Sequence, residues 1–439
     1  GTAMTTGTDN VAVGEAALDA FTTGSDNTAV GDNAAGATTT GDNNVAVGSA
    51  ALLANTTGTA NVAIGSLALD ANTTDSYNIA IGHAALTTSD GGVGNTAVGY
   101  SAATSLSTGD YNVAVGYQAL DSNTTASNNV AMGTNAGGAL TTGASNVAIG
   151  TSALLTEDGH GNNVAVGFEA LKVQNAGADA YNTAVGYQAG VANTDGTAIV
   201  AVGASALDAN TTGDSNVGVG NNALGANTTA SNNTALGTDA LAANTTGAQN
   251  AAVGKSALTA NTTASNNTAV GSSALAANTT GTRNTSVGTY SLDANTTAND
   301  NTAVGYNAAT AITTGVSNTA VGASSLLTLT TGSRNTSLGY NALTAQTDAS
   351  DNVGIGNYAG GAITTGAYNT FVGSLAGDGL TTGGENTGVG YRALSSASFN
   401  ASNCTAIGKD AGLAITTGGT NTVVGADAGT ALTTGASNV

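Results

Sequence analysis

The sequence predicts an all-β protein, a β-solenoid of about 25 coils with two short strands in each 17-residue coil. Three observations carry this prediction. A glycine recurs from Gly14 to Gly425 at a step of 17 residues, interrupted only between Gly167 and Gly186 (19) and between Gly390 and Gly408 (18). A period this short and regular marks a repeat architecture, in which each unit packs on its neighbours. The apolar positions keep a fixed phase to that glycine, unlike those of a disordered tract rich in Gly, Asn and Thr. Finally, two glycines per unit would cost a helix about 1 kcal/mol each, and no stripe at 3.6-residue spacing runs on.

The copy Asn267-Thr268-Ala269-Val270-Gly271 opens the unit, and positions are counted from its asparagine. Positions 1 to 4 are rich in β-branched residues and end at the glycine of position 5, which reads as a strand and a turn. Positions 8 to 12, here Ala274 to Asn278, form a second apolar stretch closed by Thr279-Thr280-Gly281, read as a second strand and turn. In-register stacking at roughly 4.8 Å per coil would make the array about 120 Å long. The two irregular steps place their extra residues in the second turn, at Asn175 to Tyr181 and around Phe399 to Asn403. Turns tolerate such insertions, whereas strands do not.

Comparing the copies assigns the faces. Position 4 is always Val, Ile, Leu or Met, so Val270, Val304 and Val321 are expected to form a core ladder inside the coil. Position 3 is Ala, Ser or Gly in all but Phe371 and Val423. It faces away from position 4, and its constant small size suggests cover from a second chain. Ala269, Ala303 and Ala320 are therefore the expected oligomer interface. Positions 9 and 12 trade volume: Leu275 goes with Asn278, but Gly137 goes with Leu140, Gly360 with Ile363 and Gly412 with Ile415. Such exchange conserves core volume. Leu18 with Phe21 and Leu326 with Leu329 break the rule, so those coils should bulge or pack more tightly.

The motif Asn-Thr-Ala-Val-Gly-x-x-Ala, repeated over essentially the whole chain, resembles the head repeats of trimeric autotransporter adhesins, the YadA type. Similar arrays occur in predicted phage tail fibres and in microbial surface proteins. The resemblance implies a left-handed parallel β-roll, a homotrimer and an extracellular, cell-surface or virion location with a structural or adhesive role. The present unit is longer than usual for those heads, and no stalk, membrane barrel or chaperone segment appears. Residues 1–439 read as one continuous array, expected to be a segment of a longer chain, since it begins and ends in mid-repeat.

Composition narrows the function further. Formal net charge is −21, from 27 acidic and 6 basic residues. That balance disfavours nucleic acid and anionic membrane surfaces. No run of 18 apolar residues occurs, so no membrane-inserted segment is expected. The single Cys404 provides neither a disulfide framework nor a thiolate metal site. His83 and His160 read as surface histidines, and no nucleophile–base–orienter set is present. Catalytic, cofactor and metal sites are therefore expected to be none, and the chain is read as non-enzymatic.

Asn55, Asn72, Asn123, Asn210, Asn227, Asn244, Asn261, Asn278 and Asn295 each open Asn-Thr-Thr, a formal N-glycosylation acceptor. Asn232, Asn266, Asn284, Asn335, Asn400 and Asn403 match as well. The competing reading is an inward ladder of stacked amides, favoured because position 12 exchanges with Ile and Leu. The leading functional reading is the structural rod of an extracellular fibre. The alternative is a binding module whose solvent-facing Thr and Asn rows contact cell-surface glycans, host surfaces or ice.

Overall fold

Alternation of short β-branched segments with glycine-bearing turns folds the chain, in a computed structural model that describes residues 5–439, into a parallel β-solenoid. Each coil contributes one three-residue strand from positions 2 to 4. The chain divides into two compact units, Gly1–Asn221 and Asn222–Val439. The first holds strands β1 (Val11–Val13) to β13 (Val217–Val219), and the second holds β14 (Thr234–Leu236) to β25 (Thr422–Val424). Within each unit successive strands pair parallel and in register. Thr268, Ala269 and Val270, for example, stand opposite Thr285, Ser286 and Val287. Both enlarged steps are absorbed outside the strands: Val164 still pairs with Thr183, and Thr387 with Thr405.

The second apolar stretch is not a strand. Positions 7 and 9 take the left-handed conformation, as at Ser273 (φ 55°) and Leu275 (φ 52°), and position 17 repeats it at Arg283 (φ 58°). Left-handed residues cannot continue an extended run, so the stretch folds as consecutive turns. Its backbone still bonds from coil to coil. Leu275 N–H donates to Ser291 O (3.0 Å), Ala277 N–H to Asp293 O (2.9 Å) and Thr279 N–H to Thr296 O (2.9 Å). These stacked bonds hold the strained residues in place around the whole circumference.

The glycine of position 5 is fixed twice over. Gly271 has φ 136°, and a Cβ there would lie 2.6 Å from the carbonyl carbon and oxygen of Gly288 in the next coil. The position-5 glycines from Gly14 to Gly203 and from Gly237 to Gly408 meet the next coil's carbonyl in the same way, whereas Gly425 near the end of the chain does not.

The core is the reverse of the sequence expectation. Ala269, Ala303 and Ala320 are fully buried inside their own coil and are not a surface awaiting a partner. Val270 and Val304 point outward, 37% and 36% exposed, and Val321 is half-buried on the same outer face. The reason is room. The lumen already holds Leu275 of position 9 and the asparagines of positions 1 and 12, all buried. Only a small residue fits opposite them at position 3. Phe371 shows the limit, because it is accommodated where its neighbours are glycines. A Cβ on Gly377 would lie 2.4 Å from its ring, and one on Gly388 2.8 Å.

The volume trade holds. A Cβ on Gly137 would meet Leu140 at 2.9 Å, and one on Gly360 would meet Ile363 at 2.9 Å. In the two exceptions both large side chains, Leu18 with Phe21 and Leu326 with Leu329, are fully buried. Phe21 and Leu329 lean toward a position-15 glycine, where a Cβ on Gly24 or Gly332 would come within 2.8 and 2.6 Å of them. Where position 3 or 8 is serine the hydroxyls pair: Ser325 bonds Ser337 at 2.6 Å, and Ser286 bonds Ser291.

Two outcomes test this facing. Ala269→Asp buries an unpaired charge and should destabilise its unit by several kcal/mol, whereas Val270→Asp should leave the fold of the single chain nearly intact. Chemical denaturation of both variants measures the difference. Ser273→Gly relieves a half-exposed left-handed residue and should raise stability by about 0.5–1 kcal/mol, read as a higher denaturation midpoint.

Candidate functional site

The strands present a repeating outer face. Positions 2 and 4 of each coil point away from the lumen, and position 4 stays aliphatic in every coil although it is half-buried or exposed. Met132, Leu236 and Leu338 are exposed at 42%, 47% and 46%. Isolated apolar residues on a surface need no explanation, but an unbroken row does. Beside this row lie exposed aromatics of position 6. His83, Tyr100 and Tyr117 stack on three successive coils, with ring centroids 5.2 and 5.5 Å apart, and Phe168 stacks on Tyr187 at 5.5 Å.

The asparagines form two interior ladders. At position 1, Asn284 N–H donates to Asn267 Oδ1 (2.9 Å), and Asn284 Nδ2 donates to Ala298 O (2.8 Å). Cys404, in the same row, keeps the pattern: its N–H donates to Asn386 Oδ1 (3.0 Å), and its thiol lies 3.4 Å from Gly418 O. At position 12, Asn278 Nδ2 donates to Asn261 Oδ1 (3.0 Å) and to Gly281 O (3.0 Å). Asn55, Asn72, Asn123, Asn210, Asn227, Asn244, Asn261, Asn278 and Asn295 are all fully buried. They are therefore closed to any enzyme acting on the folded chain, and the amide ladder takes the place of the acceptor reading. The Asn rows of the binding-module reading thus do not face solvent. Of the other matches Asn284 and Asn335 are buried, whereas Asn232, Asn266, Asn400 and Asn403 are exposed.

Threonines of position 13 are half-buried and bonded along the stack, as where Thr279 Oγ1 donates to Thr296 O (3.0 Å). Those of position 14, such as Thr280, are exposed in a row one residue wide. Position 17 carries two forked ion pairs between adjacent coils. Arg283 Nε and Nη2 donate to Asp300 at 2.7 and 2.9 Å, and Arg334 binds Asp351 likewise at 2.7 and 2.8 Å. The guanidinium in each pair holds its carboxyl below the usual range.

One turn departs from the pattern. Glu157 occupies position 12 and is fully buried, and His160 occupies position 15, elsewhere almost always Gly or Ala. His160 N–H donates to Glu157 Oε1 (3.2 Å), and His160 Nδ1 lies 3.4 Å from the same oxygen. Burial pushes the Glu157 carboxyl up to about 7, opposed by the His160 N–H and ring. Read from the sequence, His160 was an ordinary surface histidine. The signal that finds it is the row, since Glu157 is the one charged residue at position 12 among all the copies.

Fold and surface together define a parallel β-solenoid repeat protein with an aliphatic outer strand face. No protein-family model matches the chain, and no curated protein matches it. Among the described residues no helix is long and apolar enough to cross a membrane.

The ladder makes a direct prediction. In material from a glycosylating host, mass spectrometry should find Asn244, Asn261 and Asn278 bare, with side-chain amides slow to exchange. Sugar on these three would show that the row opens.

Proposed function

We propose that this chain is a non-catalytic structural element of an extracellular fibre and assembles with copies of itself through the outer face of its strands. The observation that carries this is position 4, kept aliphatic in all 25 copies while directed outward. Positions open to water vary in kind, as position 6 does among Glu15, Tyr100 and Lys255 and position 10 among Asp208, Thr259 and Leu327. A face kept apolar coil after coil is a face that is covered. The cover must match a row that repeats once per coil, and a second copy has that period by construction. The resemblance to YadA-type heads supports three copies and a surface or virion location. It supplied both expectations, while the position of the interface moves from Ala269, Ala303 and Ala320 to Val270, Val304 and Val321. The strongly acidic balance, with 27 acids to 6 bases, suits a fibre that does not bind nucleic acid.

Sedimentation tests this reading. The unmutated chain should form a discrete oligomer at micromolar concentration. Val270→Arg, Val304→Arg and Val321→Arg together place unpaired charges in the covered face, each costing several kcal/mol. That is well over about tenfold in the association constant, while each chain keeps its coil. A folded monomer at micromolar concentration without any substitution sinks the proposal.

A further inference from the structure

We propose that the turn from Glu157 to His160 binds a divalent transition-metal ion, best matched by Zn2+, through His160 Nδ1 and the carboxylates of Glu157 and Asp158. The argument starts from what an ordinary coil does at this place. The position-12 amide donates to the position-15 carbonyl, as Asn278 does to Gly281. An ionised carboxylate cannot donate. Glu157 accepts from His160 N–H instead, and its second oxygen, Oε2, is buried without a hydrogen-bond partner. Nδ1 of His160 is likewise buried and has no hydrogen-bond partner, although its side chain as a whole is 28% exposed.

Glu157 Oε1 and His160 Nδ1 lie 3.4 Å apart, an ion pair when the imidazole is protonated; when Nδ1 is unprotonated both atoms are acceptors that an electropositive ion can join. A proton alone would draw a charge-assisted N–H···O bond to about 2.7–2.9 Å. Two ligands that share a tetrahedral zinc at roughly 2.0–2.1 Å lie about 3.4 Å apart. Asp158 completes the set: one ligand atom from each of Glu157, Asp158 and His160 lies within 4.8 Å of the other two. Asp158 is exposed, which gives an entry path and leaves a coordination position for water. One imidazole nitrogen with carboxylate oxygens suits Zn2+ rather than Ca2+ or Mg2+, which favour all-oxygen sets. The two unusual residues also stand at contacting positions of a single coil, so the arrangement is a joint departure from the repeat.

Calorimetric titration of the full chain with Zn2+ at neutral pH, with any polyhistidine tag removed, tests the site. Titration with Co2+ adds a visible spectrum that reports ligand geometry. The expected result is one equivalent bound by the parent, weakened by at least about tenfold in both Glu157→Gln and His160→Asn. Glutamine already fills the same row at Gln174 and Gln346, so Glu157→Gln keeps the coil folded, which circular dichroism checks. No saturable binding by the parent at sub-millimolar metal overturns the proposal. So does binding that both variants retain unchanged.

Discussion

Adjacent coils approach so closely at position 5 that no side chain fits between them. Gly271 would place a Cβ 2.6 Å from Gly288, and the same contact recurs through both units. This approach sets every like residue over its like. Backbone bonds can then run from coil to coil at strand and turn alike, from Thr268 N–H to Asn284 O and from Leu275 N–H to Ser291 O. Stacking identical residues turns a single favourable contact into a row. The amide rows of positions 1 and 12 exist because each asparagine finds another at the same height. Positive φ at positions 7, 9 and 17 is tolerable for the same reason, since the cost is met by bonds that recur in each coil.

Much of this was legible in the sequence. The glycine period gave the solenoid and its register. The exchange between Gly137 with Leu140 and Leu275 with Asn278 gave the shared space of positions 9 and 12. The two enlarged steps gave the location of the loops. What the sequence left open was the sign of the strand. Alternation puts Ala269 and Val270 on opposite faces but does not say which is inside. Size suggested valine, because large apolar residues usually fill cores. The answer depends on the width of the lumen, fixed by residues six and nine positions after Ala269 in the turn. Leu275 and Asn278 occupy that space, and alanine is what remains possible. The second apolar stretch was misread as a strand for a related reason. Leucine is uncommon at positive φ, so nothing in the residue type announced the left-handed turn at Leu275.

A narrow lumen also explains why the outer face matters. In each coil the interior buries one leucine or its equivalent beside alanines and amides, and the largest aliphatic row of the strand lies outside. Covering that row adds burial at roughly 25 cal/mol for each Å2 removed from water. The two units present it differently. Position 2 is mostly valine up to Val217 and mostly threonine from Thr234 onward. Threonine suits water or cover equally, so in the second unit the aliphatic character of the outer face rests mainly on position 4.

The same reasoning gives departures from a row their meaning. A repeat supplies its own reference for each position, so an exception can be judged against its neighbours. Phe371 is matched by Gly377 and Gly388, and Ser325 by Ser337, each exception answered within the adjoining coils. Cys404 replaces an asparagine and keeps its bond to the position-15 carbonyl. Glu157 leaves Oε2 buried without a hydrogen-bond partner, as Gln174 leaves Nε2 and Gln346 leaves Oε1 in the same row. What sets Glu157 apart in its row is its charge, and it is there, beside His160, that we place the proposed metal ion.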